Sequence, residues 1–497
     1  MSLFRKKDLA AMLAQSEDGG KGLKRTLGAG NLIALGIGAI IGAGLFVRTA
    51  AAAGQAAGPA VTISFIIAAV GCAFAGLCYA EFAAMIPIAG SAYAYSYVTM
   101  GELVAWIIGW ALIMEYALGA ATVSIAWSEY LNKLTGGAIP YEWSHSPFES
   151  FTDSMGVAHS GIMNAPALII LLALTLLLIK GSQESAIVNA IIVFIKVAIV
   201  IIFIAVGWQF IKPENHTPYL IPAGQAAVTD SAGKVIADYS GAFKHGWGGV
   251  LGGAAIVFFA FIGFDAVSTA AQEAKNPKRD MPIGILGSLV VCTILYILFG
   301  HVLTGVAPWT DFVDPEKGRE ASVAYAISTY MTGYGWLATA VTVAILAGFS
   351  SVILVMLMGQ SRIFYSMSKD GLLPKAFGDL HPKYQTPYKS NWILFVFVGL
   401  FAVFVPGSVA GDLTSFGTLF AFVLVSLGIW ILRRKSPEME RPFKTPLVPL
   451  VPILGAVICL AMIFALDMQT LKVAFIWMIL GLFVYFLYSK KTSKLNN

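Results

Sequence analysis

Charge is what this chain has least of. Charged residues make up 12% of its 497 residues and hydrophobic residues 58%. A soluble domain carries about 25% charged residues. A water-soluble globular protein is therefore excluded, and an all-α polytopic membrane protein in a lipid bilayer is expected. Cysteine is scarce as well. Cys72, Cys78, Cys292 and Cys459 all lie in apolar runs without a C-x-x-C pair. They read as small core hydrophobes rather than metal ligands. No G-x-x-x-x-G-K-[ST] loop occurs, which argues against an ATP-driven pump. No nucleophile–base pair or metal set appears, so neither an enzyme nor a metal site is expected. The first 25 residues are charged and polar, and no cleavable signal peptide is expected. The stretch from Leu3 to Leu13, with Arg5, Lys6 and Lys7, reads either as an amphipathic helix on the membrane surface or as a solvated tail. The net charge of +5 belongs to the loops and points to no nucleic acid.

What is present is apolar and long. Twelve spans are expected, at 27–51, 60–86, 101–131, 164–180, 185–211, 246–270, 283–306, 335–361, 391–408, 412–432, 446–466 and 471–489. With the N-terminus in the cytoplasm, 23 Lys and Arg fall inside and eight outside. That bias supports a cytoplasmic membrane location with both termini inside. One basic residue is left within a span, Lys196.

The run from Ile33 to Phe46 is apolar, yet it holds Gly36, Gly38, Gly42 and Gly44. Each glycine weakens a helix by about 1 kcal/mol relative to alanine. Broken backbone at membrane depth is tolerated only where protein or a wet cavity covers it. A break here would free the amides of Gly42, Ala43 and Gly44 at the N-terminus of the outer half-helix, where the dipole favours an anion. The other reading is close helix packing, because Gly38-x-x-x-Gly42 is a small-xxx-small motif. A second weak point, Phe261-Ile262-Gly263-Phe264-Asp265, falls in the sixth span. Paired interruptions five spans apart, in halves of opposite topology, indicate an inverted-repeat transporter with its site at the midplane. The expected division is an N-terminal segment 1–26, a first five-helix repeat 27–211, an extracellular loop 212–245, a second repeat 246–435, two further helices 446–491 and a tail 492–497.

Ionisable residues inside spans are candidates for function. Lys196 lies 11 residues beyond Ser185, or roughly 16 Å at 1.5 Å per residue. It reads either as an exchanger of a proton or as a fixed charge pinning broken carbonyls of the first span. Glu115 shares a helical face with Gly119 and Thr122 and could hold a cationic side chain, or be protonated or paired across helices. Asp265 reads as a proton or gating residue, or as a cap on the inner half-helix. Glu81 and Glu102, near the cytoplasmic end, read as structural or gating.

Several segments resemble the cationic amino acid transporter family of the amino acid–polyamine–organocation superfamily. They are Leu3–Leu9 with Gly19–Arg25, Ala75–Phe82, Ala89–Leu103, and Phe261–Val267 continuing through Lys275–Gly284. The loop from Gln360 to Pro374 adds a further signature. Vertebrate members carry fourteen spans, whereas this chain has twelve, as bacterial relatives do. The resemblance implies a LeuT-type core of two inverted five-helix repeats, with two additional C-terminal helices. It implies that the amides of Gly42, Ala43 and Gly44 take the α-carboxylate of an L-amino acid. The carbonyls of Ile40, Phe259 and Ile262 would take its ammonium, and the Phe264 ring would either close over it or pack in the core. It also implies that Lys196 couples transport to a proton. Ser350 and Ser351 stand where sodium-coupled members of the fold bind their ion, but a lysine ammonium nearby disfavours a second cation. The expected function is proton-coupled symport of cationic or small neutral amino acids without a bound cofactor. Exchange without net proton movement is the first alternative, and a non-transporting amino acid sensor is the second. No feature names an accessory subunit.

Overall fold

The computed structural model describes residues 5–8, 23, 25–42, 44–152, 158–229, 235–313, 322–404, 407–464 and 468–496. Most of the N-terminal stretch expected to be amphipathic, and Ala43, lie outside these residues. Without water to serve backbone groups in the bilayer, apolar runs of this length satisfy them by forming helices. Among the described residues, eight helices are long and apolar enough to cross a membrane, and four shorter apolar helices accompany them. Each of the twelve expected spans carries helix. Span 1 is Ala29–Ile40, resuming at Gly44–Arg48 and continuing through Thr49–Ala52 and Ala53–Ala57. Spans 2 and 3 are Val61–Met85 and Glu102–Leu134. Spans 4 and 5 are Ala165–Lys180 and Ser182–Gly207. Span 6 is Gly246–Phe258, followed by Ala266–Thr269. Spans 7 and 8 are Pro277–Val306 and Gly335–Lys369. Spans 9 to 12 are Tyr388–Phe404, Gly407–Lys435, Leu450–Phe464 and Met468–Val484.

Burial sorts the spans. In the most apolar windows of spans 3 and 8, 78% of residues are buried, against 28% in span 5 and 22% in span 12. Spans 3 and 8 therefore form the interior, and spans 5 and 12 turn a broad face to lipid. Phe194 is 75% exposed while Lys196, two residues on, is fully buried. The lysine thus points into the bundle. All four cysteines are buried, as expected of core hydrophobes.

Both ends of the chain meet at one end of the bundle. Arg5 donates to the carbonyl of Leu495 at 2.6 Å, and Lys7 pairs with Asp370. Hydropathy did not indicate the nine-residue helix Ser91–Thr99, which is wholly buried beside this end. It is bounded by Gly90 and Gly101 at φ 155° and 104°, where glycine is favoured. Two short antiparallel hairpins decorate the loops, Ser150–Thr152 with Ala158–Ser160 and Val228–Thr229 with Val235–Ala237.

Candidate functional site

Both glycine-marked breaks are present. Span 1 stops at Ile40, where Ile41 turns extended at φ −77° and ψ 94°, and resumes in a wide π-type turn from Gly44. The packing reading holds at the same place. A Cβ on Gly38 would lie 2.6 Å from Asn189 and Ser351, and one on Gly42 would lie 2.7 Å from Val352. Only glycine lets spans 5 and 8 approach this closely. Span 6 tightens over Phe259–Phe261, turns extended at Ile262, and passes through Gly263 at φ 115°. The two breaks face each other, because a Cβ on Gly44 would collide with the backbone of Ala260.

Side chains from three neighbouring spans hold the broken ends. Lys196 donates to the carbonyls of Gly38 at 3.0 Å and Ile41 at 2.7 Å. Asn189, seven residues earlier on the same face of span 5, donates to the carbonyl of Ala34 at 3.1 Å. Ser351 donates to Asn189 Oδ1 at 2.6 Å, and Ser350 donates to its own helix at Leu346. On the other side, the Tyr296 hydroxyl of span 7 lies 2.9 Å from the carbonyl oxygen of Ile40 and 2.8 Å from that of Ala260. One hydroxyl thus ties the two breaks together. Asn189 and Tyr296 were not singled out from sequence. Each is one polar residue in an apolar run, and only folding reveals its partner.

Glu115 and Asp265 meet beyond the break. Span 3 opens into a π-type turn over Met114–Leu118, a distortion often found at functional sites. The extra residue in this turn shifts the register expected for Glu115, Gly119 and Thr122. Gly119 packs against Met356 and Thr414, and Thr122 donates to Leu118. Glu115 is fully buried, with Asp265 and Thr418 as polar neighbours. No hydrogen bond with good geometry reaches either of its oxygens among the described residues. Asp265 accepts from the Tyr116 hydroxyl and makes no capping bond to the helix it precedes. The Phe264 ring is buried against Tyr79 and Phe422, with centroids 6.0 and 4.9 Å away. Phe259 and Ile262 line an apolar cavity of about 120 Å³, which Ser415, Leu419 and Met462 complete. The Arg48 guanidinium stands 5.0 Å over the Phe259 ring.

Buried ion pairs and hydrogen bonds cross the end that carries the termini. Arg362 Nε donates to Glu273 Oε1 at 2.8 Å, and neither side chain is exposed. The amides of Thr26 and Leu27, ahead of span 1, both donate to the Glu273 carbonyl at 2.9 Å. Sequence reading did not mark this pair, since Glu273 and Arg362 stand 89 positions apart. Glu81 accepts two bonds from Arg433, and Glu102 accepts from Tyr97 and Tyr485. Removing one partner of a buried ion pair costs about 3–5 kcal/mol. Glu273→Ala is therefore expected to lower the thermal unfolding midpoint of the purified protein clearly. An unchanged midpoint would mean that water already reaches Arg362.

Comparison with known proteins places these features. The amino acid permease family model matches residues 27–487. The chain is 42% identical to the branched-chain amino acid permease BcaP of Bacillus subtilis, over 100% of this chain and 99% of that one. It is 40% identical to the methylthioribose transporter of the same organism, again over 100% and 99%. It is 34% identical to the vacuolar cationic amino acid transporter 4 of Arabidopsis thaliana, over 88% of this chain and 68% of the relative. With its paired breaks inside a bundle of apolar helices, the chain belongs to the amino acid permease family of the amino acid–polyamine–organocation superfamily.

Proposed function

We propose that this protein is a secondary active transporter that carries an amino acid across the cytoplasmic membrane by alternating access, with a proton moving alongside. The observation that carries the reading is the pair of facing breaks, with Lys196 bonded to the carbonyls of Gly38 and Ile41. Amides at the start of a half-helix suit a carboxylate, and loose carbonyls at the end of one suit an ammonium. On this reading Gly42, Ala43 and Gly44 hold the carboxylate, while the carbonyls of Ile40, Phe259 and Ile262 hold the ammonium. Spans 1–5 and 6–10 act as two inverted halves of a LeuT-type core, and the end with the termini faces the cytoplasm. The Lys196 ammonium near Ser350 and Ser351 favours a proton over sodium as coupling ion, because two cations would repel one another there.

The relatives bear names of chemically different cargoes: branched-chain amino acids, cationic amino acids and methylthioribose. The apolar cavity beside Phe259 and Ile262 suits a small aliphatic side chain. Glu115 does not line that cavity. Two facing buried carboxylates need positive charge between them, and Glu115 with Asp265 would receive it from a proton or from a cationic side chain. Uptake of a panel of labelled amino acids into proteoliposomes tests the substrate class. If a cationic side chain supplies that charge, Glu115→Gln should raise the arginine KM about tenfold, the scale of one charged hydrogen bond, and leave leucine uptake nearly unchanged. Equal losses for both would assign Glu115 to structure or to the proton.

A further inference from the structure

Another cavity, polar in its lining, lies at the end of the bundle opposite the termini, away from both breaks. It has a volume of about 490 Å³. Its walls include Gln55 at the far end of span 1, Val313 after span 7, and Ile236, Asp238, Ser240 and Lys244 from the loop before span 6. That is ample room for one free amino acid. The loop is anchored rather than draped. The buried Tyr239 hydroxyl donates to the carbonyl of Gly54 at 2.6 Å, and the Tyr239 ring packs on Trp309 with centroids 5.3 Å apart. His245 Nδ1 lies 2.8 Å from the Tyr239 carbonyl oxygen, and the Gly246 amide donates to the carbonyl of Ile221 at 2.8 Å.

The charges in this cavity are of opposite sign and stand on the same short loop. Ser240 donates to Asp238 through its amide at 3.0 Å and its hydroxyl at 2.8 Å. These bonds, with a smaller contribution from Lys244, hold the Asp238 carboxyl below its usual range and keep it ionised at neutral pH. A carboxylate has about four lone-pair sites, so Asp238 keeps acceptor capacity toward the cavity. The Lys244 stem crosses Gly241, with its Cγ 3.2 Å from where a Cβ would stand. Asp238 and Lys244 attract one another, yet they form no ion pair among the described contacts. Between an open carboxylate and an open ammonium, with the Gln55 amide alongside, the complementary ligand is itself a zwitterion.

We propose that this cavity is an antechamber that captures a free α-amino acid, its ammonium on Asp238 and its carboxylate on Lys244, before it reaches the breaks. This rests on the transport reading and adds a second, weaker site for the same class of substrate. Span 1 joins the two sites: Gln55 stands at its far end and Gly42 at its break. Capture at one end of the span that must move would raise the local substrate concentration where that span opens.

The test uses the full chain, purified in detergent, with Gln55→Cys as the reporter. The four native cysteines are buried, so a polar thiol reagent reads position 55. L-Valine is the probe. The background is Gly44→Leu, which removes the central site on the transport reading. Valine is expected to slow labelling of Cys at position 55 in that background. Adding Asp238→Asn with Lys244→Gln should weaken this protection about tenfold, as the loss of two exposed charge contacts allows. Reversing both charges, Asp238→Lys with Lys244→Asp, should restore part of it, since a zwitterion can turn round. Absence of protection, or equal protection in the neutralised variant, overturns the antechamber. The central site is judged separately: valine uptake by Gly44→Leu at the wild-type rate overturns the transport reading and leaves the labelling result to stand alone.

Discussion

Replacing Gly44 with leucine is expected to abolish amino acid binding. The position admits no side chain. A Cβ at 44 would run into the Cα and Cβ of Ala260, so even Gly44→Ala forces the two breaks apart. Backbone cannot yield as the far end of a flexible side chain can. The amides of span 1 and the carbonyls of span 6 would then no longer converge on one small molecule, and misplacement by about 1 Å can cost two orders of magnitude in a positioned site. The fold is expected to survive, because the contact lies between two half-helices whose other faces stay packed. Binding of labelled amino acid, measured beside size-exclusion profiles, checks both halves of the expectation. Gly44→Ala should fall between wild type and Gly44→Leu. Wild-type affinity in the leucine variant, with a monodisperse profile, would remove span 1 from the site.

How much of this was legible in the sequence depends on where each residue's partner lies. The breaks were legible because glycine weakens helix wherever it stands, and Gly38, Gly42 and Gly263 announce themselves within apolar runs. Lys196 was legible because a charge in such a run is expensive. Broken carbonyls of span 1 were among the expected partners, but which two, those of Gly38 and Ile41, only the fold shows, since backbone leaves no mark in composition. Tyr296 illustrates the same limit. A tyrosine within a span is unremarkable until its hydroxyl is found between Ile40 and Ala260. The π-type turns at Gly44 and Glu115 escaped notice because one extra residue per turn does not disturb hydropathy, although it changes which way Glu115 points. Glu273 and Arg362 sit near span ends, where charges are common, and only their full mutual burial sets them apart from the other charges there.

Lys196 is expected to be indispensable for accumulation and dispensable for exchange. Its ammonium is buried and donates to two carbonyls at the end of the inner half-helix of span 1. A charged lysine with these acceptors is stable; the same lysine without them is not, because burial without partners penalises the ion. Movement of the inner half-helix would strip both acceptors away, so the group would release its proton as that half-helix swings. On the proposed reading, protonation and the substrate-holding state are thereby linked, and a proton gradient would drive substrate uphill. Lys196→Ala removes the titrating group and its two bonds to span 1, and leaves the Tyr296 and Asn189 bonds to hold the breaks. Lys196→Arg keeps a charge that arginine does not give up. Both variants should still exchange internal for external amino acid, and neither should concentrate it.

The decisive measurement is amino acid uptake into proteoliposomes under an imposed inward proton gradient, with counterflow at equal pH as control, for wild type, Lys196→Ala and Lys196→Arg. Wild type should accumulate substrate above its external concentration, whereas both variants should show counterflow with no accumulation. If Lys196→Ala accumulates substrate with the wild-type dependence on pH, Lys196 is not the coupling residue, and the buried pair of Glu115 and Asp265 must carry the proton instead.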